Sequence, residues 1–341
     1  MKLKLTPARI VAVIASVAAV AALTGCGGSD TSSGSDSNVV RQGIYTSRLP
    51  LDLPVIVAED QGFFKKHGVT VETTDIQTGT DMVTAIISNS IDVGNPASPP
   101  AIKVMTEQKA DIGALAGGSV LDFRILVPTK SQLPPETADL KTRVETLKGK
   151  TVMVIGTGTL TDWWFRDVLK QAGMDPKSLT IIAANNAPGQ IAAFQAGKVD
   201  AIVAFGTVPG LLGTAGTDYN VLLGIPEGQT GDLYTNTLQV FMAATHTWQK
   251  KNPDTVKDYC GAIADAVAWL TDKANRAAAV DAMAKWTKLD SDKAEVLLDA
   301  TTYRMRLDDA SWKAQGATVG DSGSLNFAND VNPACNDLFK S

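Results

Sequence analysis

Residues 147–207 read LKGKTVMVIGTGTLTDWWFRDVLKQAGMDPKSLTIIAANNAPGQIAAFQAGKVDAIVAFGT. Thr151–Ile155 is a short apolar run closed by Gly156, the pattern of a buried parallel strand. A loop of small hydroxyl residues and glycine follows at 157–161. Asp162–Ala172 then carries Trp164, Phe165, Val168 and Leu169 at helical spacing, and Gly173 stops the helix. A second strand over Leu179–Ala183, a helix over Gln190–Gln195 and a third strand over Val199–Phe205 complete the stretch. Strand, loop and helix alternating at this pace predict a βαβ lobe with its loops gathered at the strand ends.

The chain holds the pattern twice. Phe64–Gly68, Val69–Val71, a loop at Gln77–Thr80 and Val83–Val93 run parallel to Leu169–Gly173, Leu179–Ile181, a loop at Asn185–Pro188 and Ile191–Ala201. Asp92 and Asp200 head the closing strands, 108 residues apart. Two lobes of like topology, facing each other across a cleft, are expected. The boundaries read as lobe 1 over 39–129 and 237–341, and lobe 2 over 130–236. The first crossing is placed after Phe123–Val127, near Pro134–Pro135. The return is placed near Leu233–Leu238, with Leu238–Ala244 a strand re-entering lobe 1 and residues 246–316 largely helical.

At the start, Lys2, Lys4 and Arg9 precede an uncharged apolar core, Ile10–Leu23, shorter than the ~20 residues a membrane-spanning helix needs. Residues 1–25 therefore read as a secretory signal. Its end, Leu23-Thr24-Gly25-Cys26, resembles the bacterial lipoprotein box, which implies acylation of Cys26. Residues 26–38 read as a flexible tether, free of apolar residues from Gly27 to Asn38. Removing the three basic residues of the signal takes the formal charge from −5 to −8. An acidic exported chain without basic runs argues against nucleic acid as a partner. Cys260 and Cys335 are then the one remaining pair, in a compartment where thiols oxidise, so a disulfide is expected. Trp248, Trp269, Trp286 and Trp312 read as packing residues.

Several chemistries lack their residues. Gly149-Lys150-Thr151 has Val144 where a phosphate-binding loop needs glycine, and Gly156-Thr157-Gly158 has Thr161 in the third glycine position of a dinucleotide fingerprint. There are two histidines, His67 and His246, and no Gly-x-Ser-x-Gly elbow, so no catalytic residue, metal or cofactor is assigned. What remains is a set of small polar residues at carboxyl strand ends, where open α/β sheets bind ligands. From lobe 1 they are Arg48, Gln77, Thr78, Asn95, Ser98 and Ser119. From lobe 2 they are Thr157, Gly158, Thr159, Thr161, Trp163, Asn186 and Phe205, with Asn185 beside them. Trp164 is in register with Val168 and is assigned to the core, leaving Trp163 to wall the cleft.

Pro54-Val55-Ile56-Val57-Ala58-Glu59-Asp60-Gln61-Gly62-Phe63-Phe64-Lys65-Lys66-His67-Gly68 resembles the opening motif of solute-binding proteins of ABC importers. The group concerned handles nitrate, taurine, alkanesulfonates and thiamine-precursor pyrimidines. Leu147-Lys148-Gly149-Lys150 and Ala193-Phe194-Gln195-Ala196-Gly197-Lys198-Val199-Asp200-Ala201 match it too, and the resemblance runs from Val39 to about Leu307. It implies a two-lobed periplasmic-binding fold of type II that closes on a small solute. It also implies ABC permease and ATPase partners and, with Cys26, a monomer lipid-anchored to the outer face of the membrane. Phe205-Gly206-Thr207-Val208-Pro209 is looser than the family's aromatic-x-Pro. The helix opening at Thr161 offers N–H groups to an anion, whereas Asp162 in its first turn would welcome an amine. A small anionic or zwitterionic solute is expected. The alternatives are a pyrimidine precursor or other small amine, a non-transporting sensor, or an enzyme on the same fold.

Overall fold

The computed structural model describes residues 38–339 except 185, 206, 233, 235 and 322. The signal segment, Cys26 and all but the last residue of the tether lie outside them, as does Asn185. The first part of the chain runs β1 (Val39–Tyr45), α1 (Leu53–Asp60), α2 (Phe63–Lys66), β2 (Thr70–Ile76), α3 (Gly79–Ile87), α4 (Ser98–Glu107), β3 (Gly113–Ala116) and β4 (Gly118–Ser119). The middle runs β5 (Arg124–Pro128), α5 (Leu140–Glu145), β6 (Thr151–Val154), α6 (Leu160–Gln171), β7 (Thr180–Ala183), α7 (Ala187–Gln195), β8 (Ala201–Ala204), α8 (Thr207–Thr214) and β9 (Tyr219–Gly224). The last part runs β10 (Met242–Ala244), α9 (His246–Lys251), α10 (Pro253–Thr271), α11 (Arg276–Thr287), α12 (Ser291–Ala300), β11 (Tyr303–Arg304) and α13 (Asp309–Ala317), then α14 (Phe327–Asp330) and α15 (Pro333–Asn336).

The middle part forms one sheet, ordered β7-β6-β8-β5-β9, with β6 parallel to β7 and β8 and with β5 antiparallel to β8 and β9. Side chains alternate across it as strand geometry requires. Val152, Val154, Ala201, Val203, Ile125 and Val127 enter the core shared with α6. Met153, Ile202, Ala204 and Leu126 enter the opposite core, shared with α7 and α8. Burial on both faces explains why these strands are continuous apolar runs.

In the first region β1 pairs parallel with β2, Val93 bridges Gln42, Gly94 bridges Ala243, and β10 pairs antiparallel with β3. The late strand β10 thus sits beside segments that lie 126–149 residues earlier in the chain. One face packs on α1, α10 and α11 through Val40, Val57, Tyr259, Ile263 and Met283, and the other on α3, α4 and α13 through Met82, Ile86, Ile102 and Trp312. All four tryptophans assigned to packing lie in or against these two cores.

The two regions repeat each other closely. Thr78 caps α3 and Asn186 caps α7, each accepting from a backbone N–H three residues on, and they lie 108 residues apart like the two aspartates. Asp92 Oδ2 accepts from Arg41 N at 2.9 Å while Asp92 N donates to Arg41 O at 2.8 Å. Asp200 Oδ2 and N repeat that pair on Thr151 at 2.8 and 2.9 Å. Each aspartate therefore clamps a later strand to an earlier neighbour.

One boundary differs from expectation. Arg124–Pro128, assigned by sequence to the end of lobe 1, lies between β8 and β9 in the middle sheet. The outward crossing is consequently at residues 120–123, not beyond 129. The apolar run Ile125–Val127 suits either sheet, and only its antiparallel partners decide. The outward and return crossings bond to each other: Val120 bridges Leu238, Leu121 N donates to Thr237 O at 3.0 Å and Gln239 N to Ser119 O at 2.8 Å. Buried Gln315 of α13 grips the return, accepting from Leu238 N at 2.9 Å and donating to Asn236 O at 2.7 Å.

Cys260 of α10 and Cys335 of α15 are joined by a disulfide spanning 75 residues. Val331, four residues before Cys335, bridges Ala114 of β3, so the bond fastens the C-terminal segment to the first sheet. Reduction is expected to lower stability by about 2–4 kcal/mol, chiefly by freeing the unfolded chain. Urea unfolding with and without reductant measures it, and an unchanged midpoint would refute it.

Candidate functional site

Between the two sheets lies a cavity of ≈ 40 Å³, room for about three waters. Three first-region loops wall it. Leu49, Pro50 and Leu51 come from the β1–α1 loop, Ser119 from the end of β4 with Val120 and Asp122 from the outward crossing after it, and Gln239 from the return. Ala300, Thr301 and Thr302 approach from the end of α12, and Phe205, at the end of β8, is the middle sheet's contribution. Ser119 Oγ donates to Gln239 Oε1 at 3.4 Å, joining the two crossings on the wall itself.

The β1–α1 loop is held from behind. Trp286 Nε1 donates to Leu49 O and Tyr303 Oη to Pro50 O, each at 2.8 Å. Asp52 is fully buried, accepting from Tyr45 N at 2.8 Å and Asn95 Nδ2 at 3.3 Å. Desolvation pushes its pKa from 3.8 up to about 7, partly offset by those two hydrogen bonds.

Of the residues singled out from sequence, Ser119 and Phe205 reach the cavity. Arg48, with φ 52°, precedes the wall residue Leu49 and lays its guanidinium over the Trp286 ring at 5.0 Å. Asn95 is turned inward onto Asp52, and its carbonyl takes the Tyr45 hydroxyl at 2.8 Å. Ser98 is buried at the start of α4, its Oγ without a partner among the described residues. Gln77 is exposed, and Thr78 and Asn186 are spent on capping.

The 157–161 loop is largely closed upon itself. Thr157 and Gly158 are exposed, Thr159 Oγ1 lies 2.7 Å from Gly156 O and 3.0 Å from Thr161 Oγ1, and Thr161 Oγ1 accepts from Ile155 N at 3.2 Å. Asp162 takes Gly158 N at 2.9 Å and Arg166 Nε at 2.8 Å. The carboxylate thus already occupies the positive end of α6. Trp164 is wholly buried against Phe123 and Tyr234, while Trp163 is half-buried with its ring edge-on to Tyr234 at 6.4 Å.

Sequence reasoning missed Leu49–Leu51, Val120, Asp122, Gln239 and Ala300–Thr302 as wall residues. Pro50 and its neighbours carry a signal, a loop between a strand and a proline-opened helix. Thr301 and Thr302 carry none, since only the packing of α12 brings them there. Among the described residues no cluster of His, Cys, Asp and Glu could hold a metal, and no helix is long and apolar enough to cross a membrane.

A model of the NMT1-like family matches residues 49–284. YtlA of Bacillus subtilis, whose name marks it as a candidate binding protein, is 26% identical over 219 residues, 64% of this chain. The match spans 62% of YtlA, less than two thirds of that relative's length. The periplasmic aliphatic sulphonate binding protein SsuA from Escherichia coli superposes with a TM-score of 0.67 at 18% identity, covering 88% of this chain and 99% of SsuA. The periplasmic nitrate-binding protein NrtA from Synechocystis PCC 6803 does so with a TM-score of 0.56 at 19% identity, covering 75% of this chain and 68% of NrtA. The fold is that of the periplasmic binding proteins.

The buried Asp52 gives a signed expectation. The folded state keeps a proton that the unfolded chain releases, so this group's contribution to stability falls as pH rises from about 4 to about 7. Asp52→Asn should flatten that part of the stability–pH profile. Denaturant midpoints across pH 4–8 measure it, and profiles of equal slope would count against a buried, proton-holding Asp52.

Proposed function

The chain belongs to the NMT1-like family, and on that premise we propose that it is the extracytoplasmic solute-binding component of an ABC importer. It captures a small anionic or zwitterionic organic solute between its lobes and passes it to a membrane permease. The observation that carries this reading is the position of the cavity, walled by both crossings of the first region and by Phe205 of the other sheet, although its ≈ 40 Å³ has to widen before an organic solute enters. Apolar Leu49, Leu51, Val120 and Phe205 with hydrogen-bonding Ser119, Gln239, Thr301 and Thr302 make the mixed lining that small-solute sites use. The sulphonate and nitrate ligands in the names of SsuA and NrtA favour an anionic group.

A second observation narrows the choice. Asp122 is the one ionisable side chain among the described wall residues, and its backbone carbonyl accepts from Arg124 Nη1 at 3.1 Å. A carboxylate there favours a solute that also bears a cationic group, which places a taurine-like zwitterion ahead of nitrate and keeps a small amine as the second reading. Export and anchoring through acylated Cys26 belong to the same proposal, supported by the Leu23-Thr24-Gly25-Cys26 motif.

Native mass spectrometry of the purified protein is expected to show one retained solute, and calorimetry should then rank taurine above nitrate. Gln239→Leu should weaken the retained solute about tenfold by leaving a polar group of it unpaired. An empty protein that none of these solutes titrates would count against the proposal. Cys26→Ala should release the exported protein from the membrane fraction or stall its processing. Wild-type protein that is soluble with an unmodified N-terminus would remove the anchor from the proposal.

A further inference from the structure

Helix α8 begins two residues after Phe205, and α12 ends at Ala300, so the two helices run into facing walls of the cavity. They are rooted in different lobes. Val208 and Leu212 of α8 share a core with Ile202 and Ala204 of the middle sheet. Ala294, Leu297 and Leu298 of α12 share the first region's core with Trp286 and Met283. Arg276, at the start of α11, adds ion pairs to Glu295 and Asp299 at 3.4 and 2.7 Å. Yet α8 and α12 also pack on each other.

Where they meet, Gly210 lies tight against Val296. A Cβ built on Gly210 would lie 3.3 Å from Val296 Cβ and would overlap its Cγ1. Gly210 is not among the glycines with positive φ, so its backbone does not call for glycine. Inside a helix glycine costs about 1 kcal/mol relative to alanine. Val296, seated where the side chain would be, accounts for it.

We infer that the Gly210–Val296 contact is the seat on which the lobes close, making Gly210 a positioning residue for ligand capture; this rests on the solute-binding reading above. Since α8 moves with one sheet and α12 with the other, the space between them sets how near Phe205 comes to Ala300–Thr302. A side chain at 210 wedges the helices apart and lowers the population of the closed, binding-competent form. A closed population cut to one tenth raises the apparent Kd about tenfold.

Two measurements on the full-length protein test this. With Gly210→Cys and Val296→Cys together, mild oxidation should join the pair, the Cβ positions lying near the ~3.5–4.5 Å span of a disulfide. Gly213, on the same helix with nothing near its built Cβ, supplies the control: Gly213→Cys with Val296→Cys should not cross-link. Peptide mapping reads both, and failure of the first pair, or equal yield from the two, overturns the inference. Separately, Gly210→Val should raise the Kd for taurine about tenfold or more. Adding Val296→Ala should restore most of it, and an unchanged Kd in Gly210→Val overturns the inference too. Should wild-type protein bind neither taurine nor methanesulfonate, the solute class is wrong, while the cross-link still decides the contact.

Discussion

The hydrogen bonds between the two crossings are the constraint on which the rest depends. Residues 120–121 and 237–239 form a short antiparallel ladder where the chain passes between sheets. Two strands bonded side by side can bend or twist but cannot slide past one another without breaking backbone hydrogen bonds. Sliding of one crossing along the other would therefore break the bonds that join residues 119–121 to 237–239. Gln315 extends the constraint by tying the return crossing to α13. Because Ser119, Val120, Asp122 and Gln239 line the cavity, the ladder also holds part of the cavity wall.

Much of the fold could be read from sequence because each lobe is built from local signals. Apolar runs ended by glycine gave the strands, and the 108-residue repeat gave the like topology of the two halves, down to the capping residues Thr78 and Asn186. The boundary at β5 could not be read, since an antiparallel strand inserted between β8 and β9 leaves no local mark. Polar residues at strand ends were legible as a set but not in their roles. Thr78, Asn186, Thr159 and Thr161 are of types that bind solutes and of types that satisfy their own backbone, and here they are occupied with the backbone. Ser119 and Phe205 differ because each sits where one lobe meets the other.

The carboxylate of Asp52 shows how the cavity floor is stiffened. An ionisable group with no exposure is costly to keep, and this one is kept directly after Leu51, holding Tyr45 N and Asn95. With Trp286 on Leu49 and Tyr303 on Pro50, three of the four residues Leu49–Asp52 are fixed from behind by hydrogen bonds. Arg48, the residue before them, is braced on the Trp286 ring. The cavity wall formed by Leu49, Pro50 and Leu51 is therefore preorganised.

The order of the strands along the chain has a consequence for how the protein matures. Every strand of the middle sheet lies between Arg124 and Gly224, so that lobe can complete itself as soon as those residues are available. The first sheet cannot. Its β1 and β3 precede that lobe, but β10 at Met242–Ala244, the long helix α10 and the segment ending in Cys335 all follow it. A chain emerging N-terminus first therefore holds the edges at Gly94 and β3, which pair with β10, open while the other lobe folds. Cys335 emerges 75 residues after Cys260, its disulfide partner. Such long-range pairings are slow to form and exposed to aggregation while they wait. Holding the early strands apart until residues 242–335 have emerged is thus the step at which a chaperone would have most effect on yield.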